Sequence, residues 1–246
     1  MGIDVINLQK SFGDNHVLKG IDFKIEKGKI NMIIGASGSG KSVMLKCIVG
    51  LITPDEGEIL YDGLDFHRAQ RKEKKKIRQS IGMLFQGSAL FDSMTAEENI
   101  SFPLKMFTSQ SAAEIHGRVN FCLERVNLPG VNKLYPSELS GGMQKRVGIA
   151  RAIALNPKYL FVDEPNSGLD PPTASVIDKL IEELTHEYQM TTVVVSHDLN
   201  SIMNVGDKIM FLYQGHKEWE GSKREILDTN NEAMRKFVFV SDLIKR

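Results

Sequence analysis

Three short stretches carry residue types and spacings that can do phosphate chemistry. In Gly35-Ala36-Ser37-Gly38-Ser39-Gly40-Lys41-Ser42, glycines free successive backbone N–H groups to wrap phosphate oxygens at a helix N-terminus. Lys41 then reaches the β- and γ-phosphates and the Ser42 hydroxyl takes magnesium. At average composition the four fixed positions coincide by chance in roughly 1% of chains of this length, so the loop is read as a nucleotide site. Leu160-Phe161-Val162-Asp163-Glu164 is an apolar strand ending in two carboxylates. Asp163 suits a metal held through water, and Glu164 suits a hydrogen bond from an attacking water aimed at the γ-phosphate. Alone, the pair before Pro165 would read as strand termination; beside the loop it reads as catalytic. In Leu139-Ser140-Gly141-Gly142-Met143-Gln144, Ser140 caps a helix whose N–H groups, unobstructed at Gly141 and Gly142, form a second anion site.

Two anion sites in one chain enclose one nucleotide only if a second chain contributes, and two-fold symmetry then makes two equivalent sites. The set, in this order along the chain, resembles the ABC ATPases: Ser140 to Gln144 is similar to their signature motif, Gln86 to the Q-loop, Ser167-Gly168-Leu169-Asp170 to the D-loop, and His197 to the switch histidine. The resemblance implies ATP as the nucleotide, with Mg2+, and a head-to-tail, ATP-dependent dimer with a second copy of the chain. It implies catalysis by Glu164, His197, Gln86 and Lys41, and a metal held by Ser42, Gln86 and Asp163. Nucleotide contacts are implied at Gly35, Ala36, Ser37, Gly38, Ser39, Gly40, Lys41 and Ser42, at Ser140, Gly141 and Gly142, and at Asp170. Phe12 takes the aromatic position that stacks on adenine.

Within that family, Gly38 to Lys46, Phe85-Gln86-Gly87-Ser88-Ala89-Leu90-Phe91 with Asp92, and Leu139 to Arg146 resemble the bacterial Mla/Mce-associated ATPases that power phospholipid movement between envelope membranes. Gly87-Ser88, where relatives read Ser-Gly, and Asn166-Ser167, where they read Thr-Thr or Thr-Ala, depart from that pattern. The implied partners are a polytopic membrane permease and an Mce-type lipid-binding protein, with the chain peripheral on the cytoplasmic face of the inner membrane. The alternatives are an importer of amino acids or other small solutes, or a non-transport ABC ATPase acting on ribosomes or DNA.

The elements that must position these residues alternate. Strand-like runs occur at Ile3 to Leu8, Leu18 to Ile25, Ile30 to Ile34, Gly57 to Tyr61, Ile81 to Phe85, Tyr159 to Asp163, Thr192 to Ser196 and Ile209 to Tyr213. The first alternate apolar and polar residues, as in a half-exposed antiparallel sheet, whereas Tyr159 to Val162 and Val193 to Val195 are continuously apolar, as in buried parallel strands. Between about Thr95 and Leu155 the strand signal disappears. Thr95 with Glu98, Ser111 with Glu114 and, in the tail, Ser222 with Glu225 have capping-box spacing. The expected fold is α/β: a P-loop NTPase core, an antiparallel β subdomain, a helical subdomain inserted at about 95–155 and a short helical tail at about 222–246, all in one ATP-binding domain.

The 246 residues carry 31 basic and 31 acidic side chains, so no global field favours a phosphate polymer, and no nucleic-acid partner is expected. The basic run Arg68 to Arg78 is short and lacks interleaved aromatics, which favours a solvated helix. The longest apolar run, Cys47 to Ile52, is six residues, against the about 20 that a membrane-spanning helix needs. Without an N-terminal basic and hydrophobic leader, a cytoplasmic location is expected. Cys47 and Cys122 both flank apolar residues and are expected to be buried, reduced thiols.

Overall fold

The computed structural model describes residues 2–240. Two sheets share the chain. The first is antiparallel, ordered β2-β1-β4-β5, from β1 (Ile3–Phe12), β2 (Asn15–Ile25), β4 (Glu56–Tyr61) and β5 (Leu64–Asp65). The second is ordered β10-β9-β3-β8-β7-β6, from β3 (Ile30–Ile34), β6 (Ile81–Leu84), β7 (Tyr159–Asp163), β8 (Thr191–Ser196), β9 (Lys208–Tyr213) and β10 (His216–Gly221). Its five strands from β9 to β6 are parallel, and β10 closes the edge antiparallel to β9.

The central parallel strands β3, β7 and β8 are buried on both faces, which is why they are largely apolar. Met32, Ile34, Val162 and Val194 face one core, shared with most of the helices, while Ile33, Phe161, Val193 and Val195 face another, shared with the antiparallel sheet. Helix α1 (Lys41–Ile48) sends Met44, Leu45 and Ile48 into the second core. The first core takes side chains from α3 (Ala96–Phe107), α4 (Ala112–Arg125), α5 (Gly141–Ile153), α6 (Pro171–Glu187) and α7 (Leu199–Val205). Capping boxes open α3 at Thr95, α4 at Ser111 and α8 (Lys223–Leu227) at Ser222. A 3-10 turn, Pro136–Glu138, precedes α5.

The short helix α2 (Arg71–Gln79) buries only Ile77 and exposes Arg71, Lys72, Lys75 and Lys76. Both cysteines are buried free thiols, pushed up to about 11 by desolvation. Strands β5 and β10 lie outside the runs expected from the sequence. The helical tail contains α8 and α9 (Glu232–Val240), and its positions 241–246 lie outside the described residues. Among the described residues no helix is long and apolar enough to cross a membrane.

Candidate functional site

Register brings the chemical residues to one edge. Ile34 of β3 pairs with Ser196 of β8, Val195 of β8 with Asp163 of β7, and Val162 of β7 with Leu84 of β6. Gly35, His197, Glu164 and Gln86 therefore follow the carboxyl ends of four adjacent parallel strands, the edge where open α/β sheets bind ligands.

The loop after β3 turns back on itself through Gly35, Gly38 and Gly40, all at positive φ. A Cβ on Gly35 would lie 2.3 Å from the Leu212 carbonyl oxygen, so no larger residue fits there. Lys41 Nζ donates to the carbonyls of Gly35 at 2.8 Å and Ala36 at 3.1 Å. Burial holds the Lys41 ammonium below the usual lysine range, while Glu164 and Asp163 pull it back up. Ser39 Oγ is buried without a hydrogen-bond partner, which suits a loop built around an oxygen-rich ligand.

Ser42 Oγ lies 3.4 Å from Asp163 Oδ1 and donates to it. Burial and the neighbouring Glu164 raise the Asp163 carboxyl, and the Ser42 hydrogen bond opposes this. A hydroxyl beside a carboxylate is an oxygen donor set that fits a hard divalent cation. Glu164 is buried to 9% exposure and sits at φ 47°, a left-handed conformation rarely held outside glycine and tolerated at functional sites. Its N–H donates to the Val195 carbonyl. Its carboxylate accepts from His197 Nδ1, 2.9 Å from Oε1 and 2.8 Å from Oε2. Gln86 is exposed, and its side-chain amide donates to Ser167 Oγ at 3.5 Å.

Ser140 caps α5 and accepts from the Met143 N–H at 3.3 Å. Gly141 is exposed, but Gly142 is not free: a Cβ there would lie 2.6 Å from Thr173 Cγ2, so this glycine permits the approach of α6. Asp170 caps α6, its carboxylate accepting from the Thr173 N–H and hydroxyl, which hold it below the usual range. Phe12 stands 50% exposed at the end of β1, with Lys10 Nζ over its ring; it is not core. No hydrogen bond among the described residues joins Gly35–Ser42 to Ser140–Gly142.

Several buried polar residues escaped the sequence reading. Asp178 accepts from Asn166 Nδ2 and Ser201 Oγ, tying the segment after Glu164 to α7. Asn99 closes the loop before α3 through the backbone of Phe91, Met94 and Thr95. Lys145 donates to the Gln86 carbonyl and, at 3.5 Å, to that of Glu164. Its signal was a lysine three residues after Gly142 and three before Gly148, on a stripe of small and apolar residues.

A family model described as ABC transporter matches residues 18–167. The intermembrane phospholipid transport system ATP-binding protein MlaF of Escherichia coli is 38% identical over 236 residues, covering 96% of this chain and 88% of that protein. The probable ribonucleotide transport ATP-binding protein mkl of Mycobacterium leprae is 37% identical over 238 residues, covering 97% of this chain and 69% of that protein. Among solved structures, the dimeric post-hydrolysis state of the ATP-binding cassette MJ0796 bound to ADP and Pi superimposes with a TM-score of 0.82 at 36% identity, covering 90% of this chain and 99% of that one.

Proposed function

This chain belongs to the ABC transporter ATPases, and from that membership we propose that it powers phospholipid transport across a bacterial envelope, as the ATP-hydrolysing partner of a polytopic permease and an Mce-type lipid-binding protein. It binds and hydrolyses ATP. The lipid reading is carried by the likeness to MlaF along almost the whole chain.

In this reading Lys41 exchanges the Gly35 and Ala36 carbonyls for the β- and γ-phosphates. Ser42 and Asp163, with Gln86, would hold Mg2+, which when bound would supply charge neutralisation at the phosphate oxygens. Glu164, oriented by His197, accepts a proton from the water that attacks the γ-phosphorus, and the bond to ADP breaks on the opposite side. The backbone N–H groups of Gly35 to Ser42 cradle the phosphates. Phe12 offers its exposed ring to adenine. Ser140 to Gly142 of a second copy close over the γ-phosphate, and Asp170 sets the loop between the two copies through its cap on α6. The chain would then sit on the cytoplasmic face of the inner membrane through its permease.

Copurification from native membranes tests the assignment. An Mce-type protein with a polytopic permease supports it. A periplasmic solute receptor would favour a small-solute importer, in line with the name of the mycobacterial relative, and a ribosome would favour a non-transport ATPase.

A further inference from the structure

The face of α5 turned toward β6 is built to hold the backbone that follows it. Lys145 is 5% exposed, and its ammonium bridges the carbonyls of Gln86 and Glu164. One turn on, Gly148 lets the helix close in, since a Cβ there would lie 2.6 Å from Leu84 Cδ1 and 3.5 Å from Ser88 Cβ. Another turn on, Arg151 donates Nη2 to the Ser88 carbonyl at 2.6 Å and Nη1 to the Ala89 carbonyl at 2.7 Å. Ser88 and Ala89 both sit at positive φ, 62° and 47°. Two consecutive non-glycine residues in that region persist only where their surroundings hold them. Two cations and one glycine on a single helix face thus fix three of the four carbonyls from Gln86 to Ala89.

Lys145 reaches furthest. Burial lowers its ammonium, against the smaller opposing pull of Asp163 and Glu164. A lysine that served only to fill space would need no charge, and leaving a buried cation with only carbonyl partners is costly unless they are well made. The carbonyls it joins belong to Gln86, at the end of β6, and to Glu164, at the end of β7. The same helix begins at Ser140 and Gly141.

We propose that Lys145 is a positioning residue for ATP hydrolysis: its ammonium locks the backbone of Gln86 against that of Glu164, and so ties the placement of both side chains to the position of the helix that begins at Ser140. The inference rests on the reading of Gln86 and Glu164 as the residues that handle metal and water. Because Lys145 touches carbonyls and no phosphate site, its loss acts on turnover and leaves ATP affinity in place.

The test uses Lys145→Met, which keeps length and packing without charge, and Lys145→Arg, which keeps the charge. Turnover, equilibrium ATP affinity and melting temperature are measured on the full chain for each, beside Glu164→Gln. Misplacing catalytic groups by about 1 Å costs on the order of 100-fold in rate. Lys145→Met is therefore expected to lose at least about 20-fold in kcat, with ATP affinity and melting temperature near those of the unaltered chain, and Lys145→Arg to recover most of that loss. The proposal is overturned if Lys145→Met turns over within threefold of the unaltered chain (about 0.7 kcal/mol), if Lys145→Arg is no better than Lys145→Met, or if affinity and melting temperature fall together with rate. An active Glu164→Gln would instead defeat the reading on which it rests, whatever Lys145 does.

Discussion

His197 Nδ1 lies 2.8 Å from Glu164 Oε2 and 2.9 Å from Oε1, across the boundary between the neighbouring strands β8 and β7. The pairing requires the proton on Nδ1 and fixes the rotamer of a carboxylate whose own backbone is held left-handed. His197→Ala is expected to lower kcat by about 10- to 100-fold while ATP affinity holds, because orientation is lost and the phosphate cradle is not. Parallel binding and turnover measurements check this; equal losses in both would assign His197 to nucleotide binding.

Lys41→Ala removes the ammonium that now caps two loop carbonyls and that would meet the β- and γ-phosphates. Charge-assisted hydrogen bonds contribute about 1.5–3 kcal/mol, so ATP affinity should fall at least about tenfold and hydrolysis with it. Calorimetric titration with ATP reads the first and phosphate release the second. A folded variant with near-normal activity would remove the loop from the account.

Ser140→Arg leaves Gly35–Ser42 untouched, so a single chain should still bind ATP while turnover stops. Mixed with Lys41→Ala, it can build at most one intact composite site per heterodimer. Inactive pure variants and a partly active mixture are the expected pattern, measured as ATPase activity against mixing ratio. Normal hydrolysis by Ser140→Arg alone would contradict a site shared between copies.

Phe91 is 42% exposed and its ring stands 5.0 Å from that of Phe102, beside the partly buried Met94. This apolar patch follows Gln86 and is held in shape by Asn99. Alanine at Phe91, Met94 or Phe102 should leave basal ATPase activity of the subunit in place and uncouple it from transport in the reconstituted complex. Normal transport by all three variants would reduce the patch to packing.

The strand ends were legible because parallel strands buried on both faces have to be apolar, and each chemical residue sits where such a run stops: Gly35, Glu164 and His197. The capping boxes at Thr95, Ser111 and Ser222 were legible because their logic is local. Strand β10 was not, since His216–Gly221 is a charged edge strand whose only large apolar side chain is Trp219, and its pairing depends on β9 and the turn at Gln214 and Gly215. Lys145 was not either. Its spacing from Gly142 and Gly148 is a faint signal on its own, and its burial arises only when Gly148 lets α5 close on β6.

In the proposed mechanism one ATP is enclosed by Gly35–Ser42 of one copy and Ser140–Gly142 of another, with Glu164 as the carboxylate that activates water. Glu164→Gln keeps size and shape but removes the charge, so hydrolysis should fall by about 100- to 10,000-fold, while ATP binding persists or tightens. A dimer that forms on ATP then accumulates instead of being dissolved by turnover. Light scattering of purified Glu164→Gln should report a mass that doubles with ATP and stays monomeric with ADP or without nucleotide. Hydrolysis at the unaltered rate, with no ATP-dependent change in mass, would rule out both the shared site and Glu164 as the activating carboxylate.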